Sequence, residues 1–190
     1  MSMGESKIYG ALDPHGDHAS ICSGTFGLSH RHNRIRDFFV ALFRSAGFSC
    51  KSEVEGLLGP TKDRPADILV EDWNGSYRAT CFDVSVVSPV CDSNRIASSN
   101  TPGIAVKNAE KKKFDKYLKV CNEKGLGLYP LLFSSFGSPS DRVNSVLDRI
   151  AHMTHEKDNI PFSVALMRIR QKLSVVYQKS LYDMFAHRML

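Results

Sequence analysis

Residues 64–89 read RPADILVEDWNGSYRATCFDVSVVSP, and the fold turns on this stretch. Residues 66–70 and 77–87 have the β-branched and aromatic content of two strands, and Asp72, Asn74 and Gly75 between them are turn formers. Each strand carries one carboxylate at odds with its surroundings. Asp67 precedes Ile68, Leu69 and Val70, and Asp83 lies between Phe82 and the run from Val84 to Val87. Apolar flanks place both strands inside a sheet, where an unpartnered charge costs several kcal/mol. Two arrangements satisfy the acids. Joined antiparallel, the strands bring them together, and two carboxylates with water oxygens make a site for a hard divalent cation. Alternatively, each acid pairs with its own Arg or Lys.

Working outward toward the N-terminus, residues 48–58 alternate as a strand, with Glu53 and Glu55 on one face. Before them, Ile35, Phe38, Phe39, Leu42 and Phe43 recur at helical spacing from His32 onward, and Gly47 is a good helix stop. Residues 1–29 are glycine-rich and aperiodic, an irregular arm ahead of a domain at 30–190. Within the arm, His18 and Cys22 have the spacing of half a zinc site. A closed site needs four ligands, however, and no C-x-x-C pair precedes them. A loop with surface histidines is the alternative.

Beyond Pro89, residues 91–103 are polar and turn-rich, as in a loop on the substrate side. Residues 104–121 form a basic helix with Lys107, Lys111, Lys112, Lys113, Lys116 and Lys119. Its apolar side comprises Val106, Ala109, Phe114, Tyr117 and Leu118, and Lys113 and Lys116 lie on or beside that side. Residues 128–133 have buried-strand character. Ser138 and Pro139 open a third helix. Pro161 opens a last long one, with Val164, Ile169, Leu173, Val176, Leu181 and Phe185 toward the core. The class is α/β, a mixed sheet covered by helices.

Composition narrows the function classes. With 190 residues, 42% hydrophobic, the chain has enough apolar mass for one domain with a real core. No apolar run approaches the roughly 20 residues that span a bilayer, and residues 1–10 lack the layout of a secretory signal. Five dispersed cysteines point to reduced thiols and an intracellular setting. Net charge is +5, concentrated in residues 31–36, 107–124 and 168–188, which suits a polyanionic partner.

Four stretches together resemble a known family: DHASIC (17–22), RHNR (31–34), RPAD (64–67) with DVSVVSP (83–89), and KFDKY (113–117). In this order they are similar to the restriction-like endonuclease domain of LINE-type (non-LTR) retrotransposon polyproteins, within the PD-(D/E)XK nuclease superfamily. The resemblance implies a restriction-endonuclease-like core, a mixed four-stranded sheet flanked by helices, here with extra C-terminal helices. It also implies a metal-dependent endonuclease acting on DNA, as in target-site nicking, or a catalytically inactive nucleic-acid-binding module descended from one. Asp67 and Asp83 would bind Mg2+ (or Mn2+), assisted by Glu53, with a lysine completing the site. Arg31, His32 and Asn33 match a motif beside the family's zinc knuckle.

Two departures shape the expectations. The usual second motif ends in E-x-K, whereas Asp83-Val84-Ser85 places a serine where that lysine stands. The resemblance moves the lysine to the following helix, with Lys113 first and Lys116 second. The zinc knuckle lacks its leading cysteine pair, so Zn2+ rests on His18 and Cys22 alone. Arg31, His32, Arg34, Lys111, Lys112 and Lys116 are the expected nucleic-acid contacts, to DNA or RNA. A reverse-transcriptase domain of a larger polyprotein is the expected partner, and a nuclear location follows if the chain derives from a eukaryotic retroelement.

Overall fold

The structure is a computed structural model that describes residues 27–52, 66–76 and 78–189. His18, Cys22 and Glu53 lie outside the described residues, as do residues 53–58 of the strand expected over 48–58. The elements run α1 (Gly27–Ser45), β1 (Cys50–Ser52), β2 (Ile68–Val70), β3 (Thr80–Val87), α2 (Arg95–Asn100), α3 (Ile104–Glu123), β4 (Gly127–Ser134), α4 (Asp141–Asp158) and α5 (Phe162–Met189). The protein is thus a mixed α/β structure with a four-stranded sheet flanked by helices.

The strands lie in the order β1-β2-β3-β4; the first two pairings are antiparallel and β3–β4 is parallel. The turn between β2 and β3 uses positive φ at Asp72 (53°) and Gly75 (66°), the conformation these residue types tolerate best. Joining parallel β3 and β4 requires a crossover, which α2 and α3 provide. Pro130 in β4 has no N–H for the ladder, and it is tolerated because β4 is an edge strand.

The two faces of the sheet are covered unequally. On one, Ile68, Val70, Phe82, Val84, Leu131 and Phe133 meet the apolar stripes of α1, α4 and α5 in a large core. Phe43 is its hub, with ring centroids 4.7 Å from Phe82, 5.4 Å from Trp73 and 6.2 Å from Phe39. On the other face, among the described residues, α3 lays Tyr117 and Cys121 over Cys81 and Leu128, with Phe114 and Leu69 at the margin. Tyr177 of α5 donates its hydroxyl to the Ser134 carbonyl at 2.6 Å, tying the last helix to the end of β4.

Several local expectations are corrected. The first helix is already formed at Gly27, inside the segment assigned to the arm. Residues 95–100 are helical rather than loop. The third helix starts later than Ser138. Its N-cap is Ser140, whose hydroxyl accepts from the Val143 N–H, while Pro139 pairs with Phe133 as an isolated bridge. Leu118 and Phe185 were expected in the core but are exposed; Tyr117, and Met184 with Tyr177, take the buried positions beside them.

Truncating the hub tests this packing. Phe43→Ala removes a fully buried ring from four aromatic neighbours and is expected to cost about 3–5 kcal/mol. Urea unfolding would show this as a lowered midpoint at unchanged slope; a loss below about 1 kcal/mol would contradict the packing described.

Candidate functional site

Alternation along β3 decides where Asp83 points. Phe82 and Val84 enter the large core, so Asp83 faces the other way, with Cys81, toward α3. It is 5% exposed. Lys113, on the face of α3 that carries Tyr117 and Cys121 one and two turns later, places Nζ 2.7 Å from Asp83 Oδ2. Ser85, standing where a strand lysine was missing, makes only a long 3.5 Å contact to the same oxygen. Burial pushes the Asp83 carboxyl above its usual range, the Lys113 ammonium pulls it back, and the nearby Asp67 charge adds to the rise.

Asp67 comes from the residue ahead of β2. Its N–H donates to the Phe82 carbonyl at 2.9 Å. Its Oδ2 accepts the Val84 N–H at 2.6 Å, a backbone donor that lies past the paired residues of β2. A side chain thus finishes the ladder and holds the carboxylate near enough to Asp83 to act on it electrostatically. The same oxygen lies 2.9 Å from His32 Nε2. The contact with Asp67 raises the pKa of His32, against the lowering effect of burial.

The structure sorts the remaining expected residues. Lys111, Lys112 and Lys116 line the exposed side of α3, with Lys116 Nζ 4.6 Å from the Tyr117 ring centroid. Lys113 is the lysine that reaches Asp83. Arg34 pairs with Asp183 of α5 at 2.7 Å, so it ties two helices. Arg31 is corrected as a phosphate contact. It is 2% exposed, packed beside Tyr177, and burial lowers the pKa of its guanidinium. His32, expected on phosphate, is turned to Asp67 instead. The sequence signal belongs to Arg31: Gly27, Arg31, Ile35, Phe39 and Phe43 follow four-residue spacing, so the buried stripe runs further back than the apolar residues mark it, with His32 partly buried at its edge.

Compared with protein-family models, curated proteins and solved structures, the chain matches none. No helix among the described residues is long and apolar enough to cross a membrane.

The raised His32 pKa fixes the sign of a pH effect. Folding favours the imidazolium, so this stabilisation is complete below the unfolded value of about 6.5 and is lost as pH rises through the higher folded value. In EDTA, the gap in melting temperature between the wild type and His32→Gln should be largest near pH 5.5 and shrink toward about pH 8.5. A gap independent of pH would show that the His32–Asp67 contact carries no charge.

Proposed function

We propose that the chain is a metal-dependent endonuclease that hydrolyses DNA phosphodiester bonds, built on a PD-(D/E)XK restriction-endonuclease-like core. One observation carries the reading: the β2–β3 pairing leaves two carboxylates, Asp67 and Asp83, near enough to act on one another electrostatically, and a helix lysine is 2.7 Å from Asp83. Two carboxylates are the donor type a hard cation takes, although among the described residues no three His, Cys, Asp or Glu side chains are gathered at metal-ligand spacing. Hydrogen bonds from the described residues fall on Oδ2 of each acid, leaving each Oδ1 to the ion, and Mg2+ is commonly held by one or two carboxylates with substrate phosphates. A bound Mg2+ or Mn2+ supplies a Lewis acid for the phosphodiester and lowers the pKa of a bound water.

The chain's own residues do the rest. Asp67 and Asp83 hold the ion. Lys113, a compact point charge, stabilises the negative charge that develops on the attacked phosphate. Lys111, Lys112 and Lys116 lie along the same helix and hold flanking phosphates, contacts that position the nucleic acid without reading its sequence. By the resemblance of the four sequence stretches, the physiological reaction is nicking of a retrotransposon target site.

The second reading, a catalytically silent nucleic-acid-binding module, draws on a specific observation as well: each acid already has a nitrogen partner, His32 or Lys113. Relaxation of supercoiled plasmid separates the two. The nuclease reading expects nicking that requires Mg2+ or Mn2+ and is abolished by Asp83→Ala. Lys113→Ala should reduce it by about 10²–10³-fold. DNA binding with no metal-dependent nicking would establish the silent module, and nicking unchanged in Asp83→Ala would overturn the assignment of the reaction to this site.

A further inference from the structure

The last helix is apolar on two sides. Ala165, Ile169, Leu173 and Tyr177 of α5 follow one another at four-residue spacing and are buried in the large core. On the outer side Met167, Gln171, Val175, Gln178 and Tyr182 recur at spacings of four and three, the repeat by which one helix takes another. Met167, Val175 and Tyr182 are exposed there, Val175 by 53%. Between this side and α1 runs a groove of about 490 Å³, lined by Phe38, Arg168, Gln171, Lys172, Val175 and Val176. Its surface is almost wholly apolar, and its two charges, Arg168 and Lys172, are both positive. α1 and α5 carry one acid each, and both are engaged: Asp37 by Arg36 at 2.8 Å and Asp183 by Arg34 at 2.7 Å. Among the described residues, Arg168 and Lys172 are paired with no carboxylate.

We propose that this groove docks an acidic amphipathic helix of a protein partner, apolar side down, with carboxylates against Arg168 and Lys172. An apolar stripe laid into a hydrophobic groove is a recurring mode of peptide recognition, and unlike charge at the rim selects the partner. A second copy of the chain is the wrong occupant. α5 carries Arg168, Arg170, Lys172, Lys179 and Arg188 against Asp183 alone, so pairing two such helices sets like charges together. A phosphate backbone takes charge and hydrogen-bond donors and gains nothing from the aliphatic lining. The groove belongs to the α1–α5 layer, whereas Asp83 faces α3 across the sheet. Docking therefore leaves the Asp83 side open, and the inference stands apart from the nuclease reading.

Nuclear magnetic resonance of the methyl-labelled full chain tests this, with a synthetic helix of about 20 residues as the probe. The probe has leucines at i, i+3, i+4 and i+7 with glutamates beside them; its twin has lysines in place of the glutamates. The acidic helix should shift the Val175 and Val176 methyl signals, and the twin should not. Val175→Asn, at an exposed position, should weaken binding at least about tenfold without moving the unfolding midpoint. Arg168→Glu combined with Lys172→Glu should reverse the preference, taking the lysine helix and refusing the acidic one. No shift from the acidic helix at about 1 mM, equal binding of the twins, or a preference that survives the charge reversal overturns the inference. A sedimenting dimer that Val175→Asn dissolves gives the groove to a second copy, and Val175 shifts caused by duplex DNA give it to nucleic acid; either result overturns it as well.

Discussion

A carboxylate inside the sheet sets the terms for this protein. Asp83 sits in a strand whose neighbours are otherwise apolar and has almost no contact with solvent. Such a group is tolerated only when an opposite charge reaches it in good geometry. Lys113 does so, and its position has a consequence for packing. Lys113, Tyr117 and Cys121 follow one another at four-residue spacing, so the ion pair and the apolar cover of this face come from the same stripe of α3. The thin layer over the second face of the sheet is thus pinned at one end by charge and along its length by apolar contact.

Asp67 extends the same economy to the backbone. β2 is three residues long, and β3 runs on past it. The Val84 N–H would be left without a strand partner, and the Asp67 carboxylate supplies one. α1 then reaches the spot from the opposite layer. Ile35, Phe39 and Phe43 anchor it under the sheet, and His32, near its N-terminal end, arrives at Asp67. Side chains from α1, β3, α3 and the lead-in to β2 converge because each is positioned by a core contact a few residues away.

Much of this was legible in the chain. The hairpin, the helical stripe of α1, the basic helix and the buried run of β4 follow from periodicity and turn residues, and the misfit acids at 67 and 83 mark the site. What was lost has physical reasons. Arg31 lies on the buried stripe of α1 with His32 partly buried beside it, but polar residues interrupt a hydrophobic pattern, so the helix was begun only at His32 and both residues were expected on phosphate. Ser138 and Ser140 are equally good N-caps by composition, and the bridge of Pro139 to Phe133 decides between them. Leu118 lost its core position because, among the described residues, α3 meets this face of the sheet through one narrow stripe. Which lysine meets Asp83 required the register of helix against strand, a tertiary quantity; Lys113 and Lys116 are indistinguishable on the helix alone.

The charge count around the two acids weighs between a structural and a chemical role. If neutralisation were the purpose, one buried acid with one lysine would suffice, and an apolar pair of similar volume would be no worse for stability. Here two like charges are set close enough that one raises the pKa of the other, a cost that Lys113 and His32 offset only in part. Moreover, the second acid is held by a histidine, whose positive charge is conditional on pH, rather than by a permanent cation. Two acids kept close, one permanent cation and one cation conditional on pH make a cluster whose net charge follows the protonation of His32, which is more than a purely structural pair would need.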